Sequence, residues 1–390
     1  MKHARGNGMG SAPSSIHVFA PGRVNLIGDH TDYTGGLVLP LATHLGTTVV
    51  GTEGGDEVRL TSDDAEGEAV VALDVDDPAV ATPAWARYVA GVVSVVRPQR
   101  GFTGRVSTTL PLGAGLSSSA SLEVAVALAL GCRGPEWDAR RVARACQQAE
   151  QAASGVPCGV MDQLASAAGV AGHALLIDCS DLAITPVPLP DADEAEVMVV
   201  QSGETRQLTG SGYASRRRSC ESAAALIGPL AMTRREDVEA LADPTLRARA
   251  RHVVTENARV REFAIALRAG ELERCGRLMV ASHESLRRDF QVSTPALDQL
   301  VARLVATPGV FGARLTGAGF GGCVVALARP GTVAYGWPVR AVDGARVETV
   351  SSAGSGAPTT GSPSGPVPRP RGPDRGRRTA GRPGSPPGGR

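Results

Sequence analysis

Four short segments of this chain gather residue types that can handle a phosphate, a polyol and a proton. The first is Pro111-Leu112-Gly113-Ala114-Gly115-Leu116-Ser117-Ser118-Ser119-Ala120, between a strand-like stretch and an apolar helical one. Glycines let a backbone approach a ligand closely, and successive N–H groups at a helix N-terminus favour an anion. The serine hydroxyls can add hydrogen bonds or ligate Mg²⁺, which takes oxygen donors. An ordinary turn with a serine helix cap has the same composition. The second segment, 22–33, crowds Arg23, Asn25, Asp29, His30, Asp32 and Tyr33 between glycines. That density of donors and acceptors suits a sugar, and equally a solvated turn. In the third, Gly155-Val156-Pro157-Cys158-Gly159-Val160-Met161-Asp162-Gln163, the acid sits among glycines and apolar residues. It reads either as a positioned base or as the N-cap of a helix over 163–168. The fourth, Leu315-Thr316-Gly317-Ala318-Gly319-Phe320-Gly321-Gly322-Cys323, is another glycine loop and is weak alone.

These loops need elements to hold them. Alternation of polar and apolar residues predicts a strand over 105–110 that stops at Pro111, then a buried helix over 119–130 ended by Gly131. Asp138 caps a second helix running to about residue 153, with Gly155 as its stop. Strands are expected at 174–178 and 196–201, and the proline-bearing stretch 186–190 between them reads as a domain boundary. Amphipathic helices follow at 246–269, 271–287 and 295–306, and strands at 313–316 and 323–328 flank the fourth segment. Strand and helix patterns thus alternate without an internal repeat, as in a mixed α/β or α+β chain.

Composition removes several classes of function. The 390 residues suit two domains. No apolar run approaches the ~18–20 residues needed to span a bilayer, and residues 1–15 lack the hydrophobic centre of a signal peptide. A flexible N-terminus, a cytosolic location and no membrane partner are expected. Seven scattered cysteines without a CxxC predict reduced thiols, not a disulfide framework or a zinc ribbon. Lys2 is the only lysine, which excludes a GK[ST] phosphate loop and a Schiff-base mechanism. The tail, 355–390, carries seven arginines against one aspartate, with nine prolines and nine glycines and almost nothing apolar, and is expected to be disordered. The remaining body is mildly acidic, which fits a small-molecule enzyme and no nucleic-acid partner.

Taken together, the four segments resemble a known set in order and spacing. The segment 22–33 is similar to the galactokinase signature. The loops at 111–120 and 315–323 resemble the phosphate loop and third motif of the GHMP small-molecule kinases. Ser282-His283-Glu284-Ser285-Leu286-Arg287-Arg288-Asp289-Phe290-Gln291-Val292-Ser293 and Tyr213-Ala214-Ser215-Arg216-Arg217-Arg218-Ser219-Cys220 resemble galactokinase segments that other GHMP members lack. The resemblance covers roughly residues 16–328.

It implies a two-domain α+β GHMP kinase: an N-terminal domain, 16–185, like the second domain of ribosomal protein S5, and a ferredoxin-like C-terminal domain, 186–354. It also implies ATP-dependent phosphorylation of galactose on the anomeric hydroxyl, with Mg²⁺ as cofactor and a monomeric enzyme. Asp162 matches the family's catalytic carboxylate. Arg23 matches the arginine that pairs with it and stabilises charge on the phosphoryl group. Arg23, Asp29, His30, Asp32, Gly159, Asp162 and Tyr213 fall at sugar-binding positions. Gly113, Ala114, Gly115, Leu116, Ser117, Ser118 and Ser119 match the phosphate cradle, Trp85 and Tyr88 the adenine pocket, and Ser119 and Glu150 the metal ligands. The chain departs from the pattern at Asp29, where the family more often has Glu, and at Arg206, in place of its usual histidine. A kinase of another sugar, such as N-acetylgalactosamine or arabinose, and a non-catalytic sugar and ATP sensor are the alternatives. Past residue 330 the family's helix is expected to be shortened or missing, with a final strand over 345–350 closing the sheet of the second domain.

Overall fold

A computed structural model describes residues 15–350, apart from 112, 114 and 205–209. Ala114, Arg206, residues 1–14 of the expected N-terminal arm and the tail 355–390 lie outside the described residues. The described residues fall within one contact unit, Met1–Gly356.

The six-stranded sheet runs, in spatial order, Arg346–Val350, Ser15–Asn25, Pro40–Glu53, Phe102–Thr108, Glu57–Ser62, Ala69–Ala72. Neighbours are antiparallel except Glu57–Ser62 with Phe102–Thr108. A parallel pair needs a long crossover, and here the helix Ala86–Val96 lies within it. Helices Ser118–Ala129, Ala139–Ser154 and Met161–Ala168 complete this half. Ile16, Val18, Val49, Val58 and Phe102 from the sheet share a core with Val89, Val93, Val124 and Cys146 from the helices. In Ser15–Asn25 burial alternates up to Phe19 and is continuous from Ala20 onward. The strand enters covered on one face and ends covered on both, where its polar residues must find protein or ligand partners.

The second sheet has four antiparallel strands in the order Val310–Thr316, Cys323–Ala328, Glu196–Gln201, Trp337–Val339. Numbered along the chain from Glu196–Gln201, that is second, third, first, fourth, the ferredoxin-like order. Gly210–Ile227, Pro244–Arg268, Leu272–Ser285 and Pro295–Val305 are the long helices of this half. A central core joins the two: Val24, Leu39 and Leu41 pack with Val197, Val199, Val260, Phe263 and Val325. A small sheet of Leu37–Val38, His173–Asp178 and Ala183–Pro188 completes the described strands.

Most expected elements are present within a few residues. Asp138 Oδ1 accepts from Arg141 N at 2.8 Å, and Gly155, at φ 69°, ends Ala139–Ser154. The last strand is placed differently from expectation. Trp337–Val339 closes the second sheet against Glu196–Gln201, whereas Arg346–Val350 adds to Ser15–Asn25 on the first. Turns replace the helix between Ala328 and Trp337, so the chain reaches the second sheet early and has enough length left to return to the first. The stretch around Pro186 and Pro188 forms the outer strand of the small sheet, the place where missing N–H groups cost least. Five of the seven cysteines, Cys132, Cys146, Cys220, Cys275 and Cys323, are buried. No helix among the described residues is long and apolar enough to cross a membrane.

Candidate active site

Between Pro21 and Arg23 the pairing of Ser15–Asn25 with Pro40–Glu53 slips register, and this irregularity re-aims Arg23. Its guanidinium meets Asp162 as a fork: Nε donates to Oδ1 at 2.8 Å and Nη2 to Oδ2 at 2.6 Å. The third nitrogen, Nη1, donates to Gly115 O at 2.8 Å, and the Arg23 backbone N–H donates to Leu116 O at 3.1 Å. One nearly buried arginine thus fixes both the glycine–serine loop and the acid. Asp162 stays 27 % exposed, open to a ligand, in the first turn of Met161–Ala168. It is not that helix's cap; Val160 occupies the cap position, with no side-chain cap bond. Two hydroxyls hold the helices in place: Ser166 Oγ donates to Pro21 O and Ser121 Oγ to Ala20 O, each at 2.7 Å.

Ser117 is the N-cap of Ser118–Ala129, in the left-handed region at φ 61° and ψ 54°. For a non-glycine residue that conformation costs about 1–3 kcal/mol and clusters at functional sites. Its hydroxyl donates to Asp162 Oδ2 and makes no cap bond. The first N–H groups of the helix are therefore left for an anion, as an N-terminal phosphate site requires. Gly113 and Ser118 are exposed, while the Leu116 side chain is packed in the core and contributes only its backbone to the loop. Ser119 Oγ donates to Glu150 Oε1 at 2.9 Å. Burial, with the charge of Asp162, raises Glu150 to about 7. Tyr88, half-buried, feels the charges of Glu150 and Glu123, whereas the Trp85 indole donates to Glu66 O at 3.3 Å.

The expected sugar positions form a second group. His30, at φ 67°, sits with its ring 5.6 Å from that of Tyr213 and 4.7 Å from that of Phe290. Burial lowers it to about 3, so it is neutral. Its Nε2 faces Ala318 O at 3.1 Å and must carry the proton, which leaves Nδ1 to accept from the Tyr33 hydroxyl at 3.0 Å. Asp32 lies against Gly159 and is raised to about 7, by burial first and then by the charges of Asp162 and Asp29. Asp32 and Gly159 line a cavity of about 280 Å³ together with Tyr33, Cys158, Arg144 and Arg217. A Cβ on Gly159 would fall 1.8 Å from Asp32 Oδ2. Gly159→Ala is therefore expected to displace that carboxylate and raise the KM for sugar while leaving the KM for ATP near its original value; initial-rate kinetics with each substrate varied would check this. Asp29 is turned inward. Its carboxylate forms a 2.6 Å ion pair with Arg314 and accepts from Gly317 N at 2.9 Å, both side chains buried.

The family model described as the galactokinase galactose-binding signature matches residues 8–53, the GHMP kinases N terminal domain 87–170 and the GHMP kinases C terminal model 263–335. The galactokinase of Homo sapiens is 46 % identical over 81 % of this chain and 84 % of its own length. This chain belongs to the galactokinase family. A bacterial galactokinase, from Chloroflexus aurantiacus, is 44 % identical over 79 % of this chain and 82 % of its own. The structure of Lactococcus lactis galactokinase complexed with galactose superposes with a TM-score of 0.78 at 30 % identity, covering 85 % of this chain and 95 % of that one. Methanococcus jannaschii mevalonate kinase, at 21 % identity and a TM-score of 0.58, shares the GHMP kinase fold.

Several residues of this galactokinase-family site escaped the sequence reading. Gln163 and Glu123 stand beside Glu150, and Arg314 holds Asp29. From Pro244–Arg268, three buried side chains grip the signature segment by its backbone. His252 Nε2 meets Asp29 O at 3.1 Å, Glu256 Oε1 accepts from Gly28 N at 3.0 Å, and Asn257 Oδ1 accepts from Leu37 N at 2.7 Å. Gly28, at φ 100° and with Val260 and the Leu37 carbonyl closing on it, has no room for a side chain. A glutamate alone among Ala, Val and Leu in 122–130 is the one sequence signal that marks Glu123.

Proposed function

We propose that this chain transfers the γ-phosphoryl group of ATP to the anomeric hydroxyl of galactose, giving galactose 1-phosphate and ADP. One observation carries the reading: the Arg23–Asp162 fork at the glycine–serine loop, in a chain 46 % identical to human galactokinase. The sugar oxygen bonds to the γ-phosphorus as the bond to the ADP oxygen breaks, and Asp162 orients the hydroxyl and takes its proton. A loose transition state leaves the protein mainly to position two substrates and neutralise charge. Arg23, beside both Asp162 and the loop, is placed for that. The open N–H groups at the start of Ser118–Ala129 would take the phosphates, and Trp85 and Tyr88 the adenine.

Ser119 and Glu150 offer adjacent hydroxyl and carboxyl oxygens 2.9 Å apart. That donor set fits Mg²⁺, which binds through one or two carboxylates plus nucleotide phosphates. Bound there, the ion would neutralise phosphate charge. No cluster of three or more His, Cys, Asp or Glu suited to a metal occurs among the described residues, consistent with an ion that arrives with ATP. The reading takes residues 16–185 and 186–354 as the two domains, with Arg346–Val350 returning to the first sheet, Asp29, His30, Asp32, Gly159 and Tyr213 as the sugar pocket, and a monomer in the cytosol as the working form.

With Mg-ATP and galactose labelled with ¹³C at C1, the product should show phosphorus coupling at C1 by NMR. Phosphate on another oxygen would overturn the anomeric assignment. Removing residues 355–390, which lack core-forming residues, should leave kcat and Tm unchanged; loss of activity from a folded truncated protein would give the tail a role.

A further inference from the structure

Gln163 directly follows Asp162 in Met161–Ala168, and its side chain faces Glu150 and Glu123. Its Nε2 donates to Glu150 Oε2 at 2.5 Å and to Glu123 Oε2 at 3.1 Å. The other Glu150 oxygen receives Ser119 Oγ. Gln163 and Glu123 are fully buried, and the amide oxygen of the one and the second carboxylate oxygen of the other, both Oε1, are buried without a partner. Such shortfalls are uncommon in cores and call for an explanation beyond packing. Three helices meet at this amide: Glu123 comes from Ser118–Ala129, Glu150 from Ala139–Ser154 and Gln163 from Met161–Ala168.

The chemistry of an amide explains the choice. Two neighbouring acids repel, and a lysine or arginine between them would hold both strongly but cancel the negative charge a divalent ion needs. A neutral amide donates to both and leaves that charge in place. We infer that Gln163 is a positioning residue: anchored by Glu123, its amide sets the Glu150 carboxylate for the divalent ion that accompanies the nucleotide, and ties it to the helix carrying Asp162. The inference rests on the reading above, in which Ser119 and Glu150 hold that ion. Through residues 162 and 163, one turn of helix then fixes the acid for the sugar hydroxyl and the acid for the metal relative to each other.

The test uses the full chain with ADP present and Mn²⁺ as an EPR-visible probe. Gln163→Met, similar in volume but without an amide, should weaken Mn²⁺ binding by about 10- to 100-fold, as loss of an outer partner of a metal ligand does. Its turnover should need correspondingly more Mg²⁺, at an unchanged KM for galactose. Glu123→Gln, which keeps an acceptor for the amide, should retain Mn²⁺ affinity, and Glu123→Leu should not. Gln163→Asn, one methylene too short to reach both acids, is the second variant and should behave like Gln163→Met. Either Gln163 variant binding Mn²⁺ as tightly as the natural chain, at an unchanged Tm, would overturn the inference. If the natural chain phosphorylated galactose but bound no Mn²⁺ with ADP, the metal placement would fall and this inference with it. Were Mn²⁺ bound but no galactose phosphorylated, the substrate reading alone would fall, and the variants would still decide the role of Gln163.

Discussion

Asp162→Asn is expected to lower kcat by about 10²- to 10⁴-fold, the range over which a positioned acid–base group contributes, with only a modest change in galactose affinity. The amide keeps the size of the acid and can still accept from Arg23 through its one oxygen. Its NH₂ group, however, would face the second Arg23 nitrogen or the Ser117 hydroxyl, both of which now point at a carboxylate. The sugar hydroxyl would lose an anionic partner that orients it and receives its proton. Rates of ADP release and calorimetric galactose binding separate the two effects. Near-normal turnover would remove Asp162 from the mechanism and leave Arg23, the loop and the metal as the source of rate.

The second large effect concerns stability. Arg314→Met should destabilise the protein by about 3–5 kcal/mol, the usual cost of leaving one partner of a buried ion pair alone. Asp29 would then keep Gly317 N–H, the Asn25 side chain and the charge of Arg23 against full burial. Burial already raises Asp29 above its ordinary value, and Arg314 is the leading opposing influence. Without it the folded protein would hold the proton more tightly still, further above the unfolded chain. Stability of the variant should therefore improve as pH falls from neutral toward the ordinary carboxylate range, and be lost again as pH rises. Adding Asp29→Asn should recover part of the loss. Urea unfolding of the single and double variants at two pH values would show this. A single variant as stable as the natural chain would mean that the pair is solvated in solution.

What the sequence disclosed follows a physical pattern. Features whose chemistry is local were legible: Gly113, Gly115 and Ser117–Ser119 mark a candidate anion loop by composition, and Asp138 and Gly155 mark helix ends by the bonds they make. Asp162 was legible as a candidate, yet only the fold distinguished base from cap, by bringing Arg23 to it across 139 residues of chain. Gln163, His252, Glu256, Asn257 and Arg314 were silent because each acts on a group distant in sequence. The final strand was mispaired for a related reason. A three-residue strand with a central proline, Trp337–Val339, carries almost no pattern of its own, whereas Arg346–Val350 does. Which sheet edge each fills depends on the turn between them. Asp29 shows the same limit: its type suggested a sugar contact, and its depth beside Arg314 could be read only from the fold.

The measurement that bears most directly on the central claim is ADP release with Mg-ATP against galactose, N-acetylgalactosamine, arabinose, glucose and no sugar. Preferential turnover of galactose is the predicted result, with Asp29 and Arg206 as tolerated variants of the family pattern. Preference for another sugar, or no turnover by well-folded protein, would contradict it.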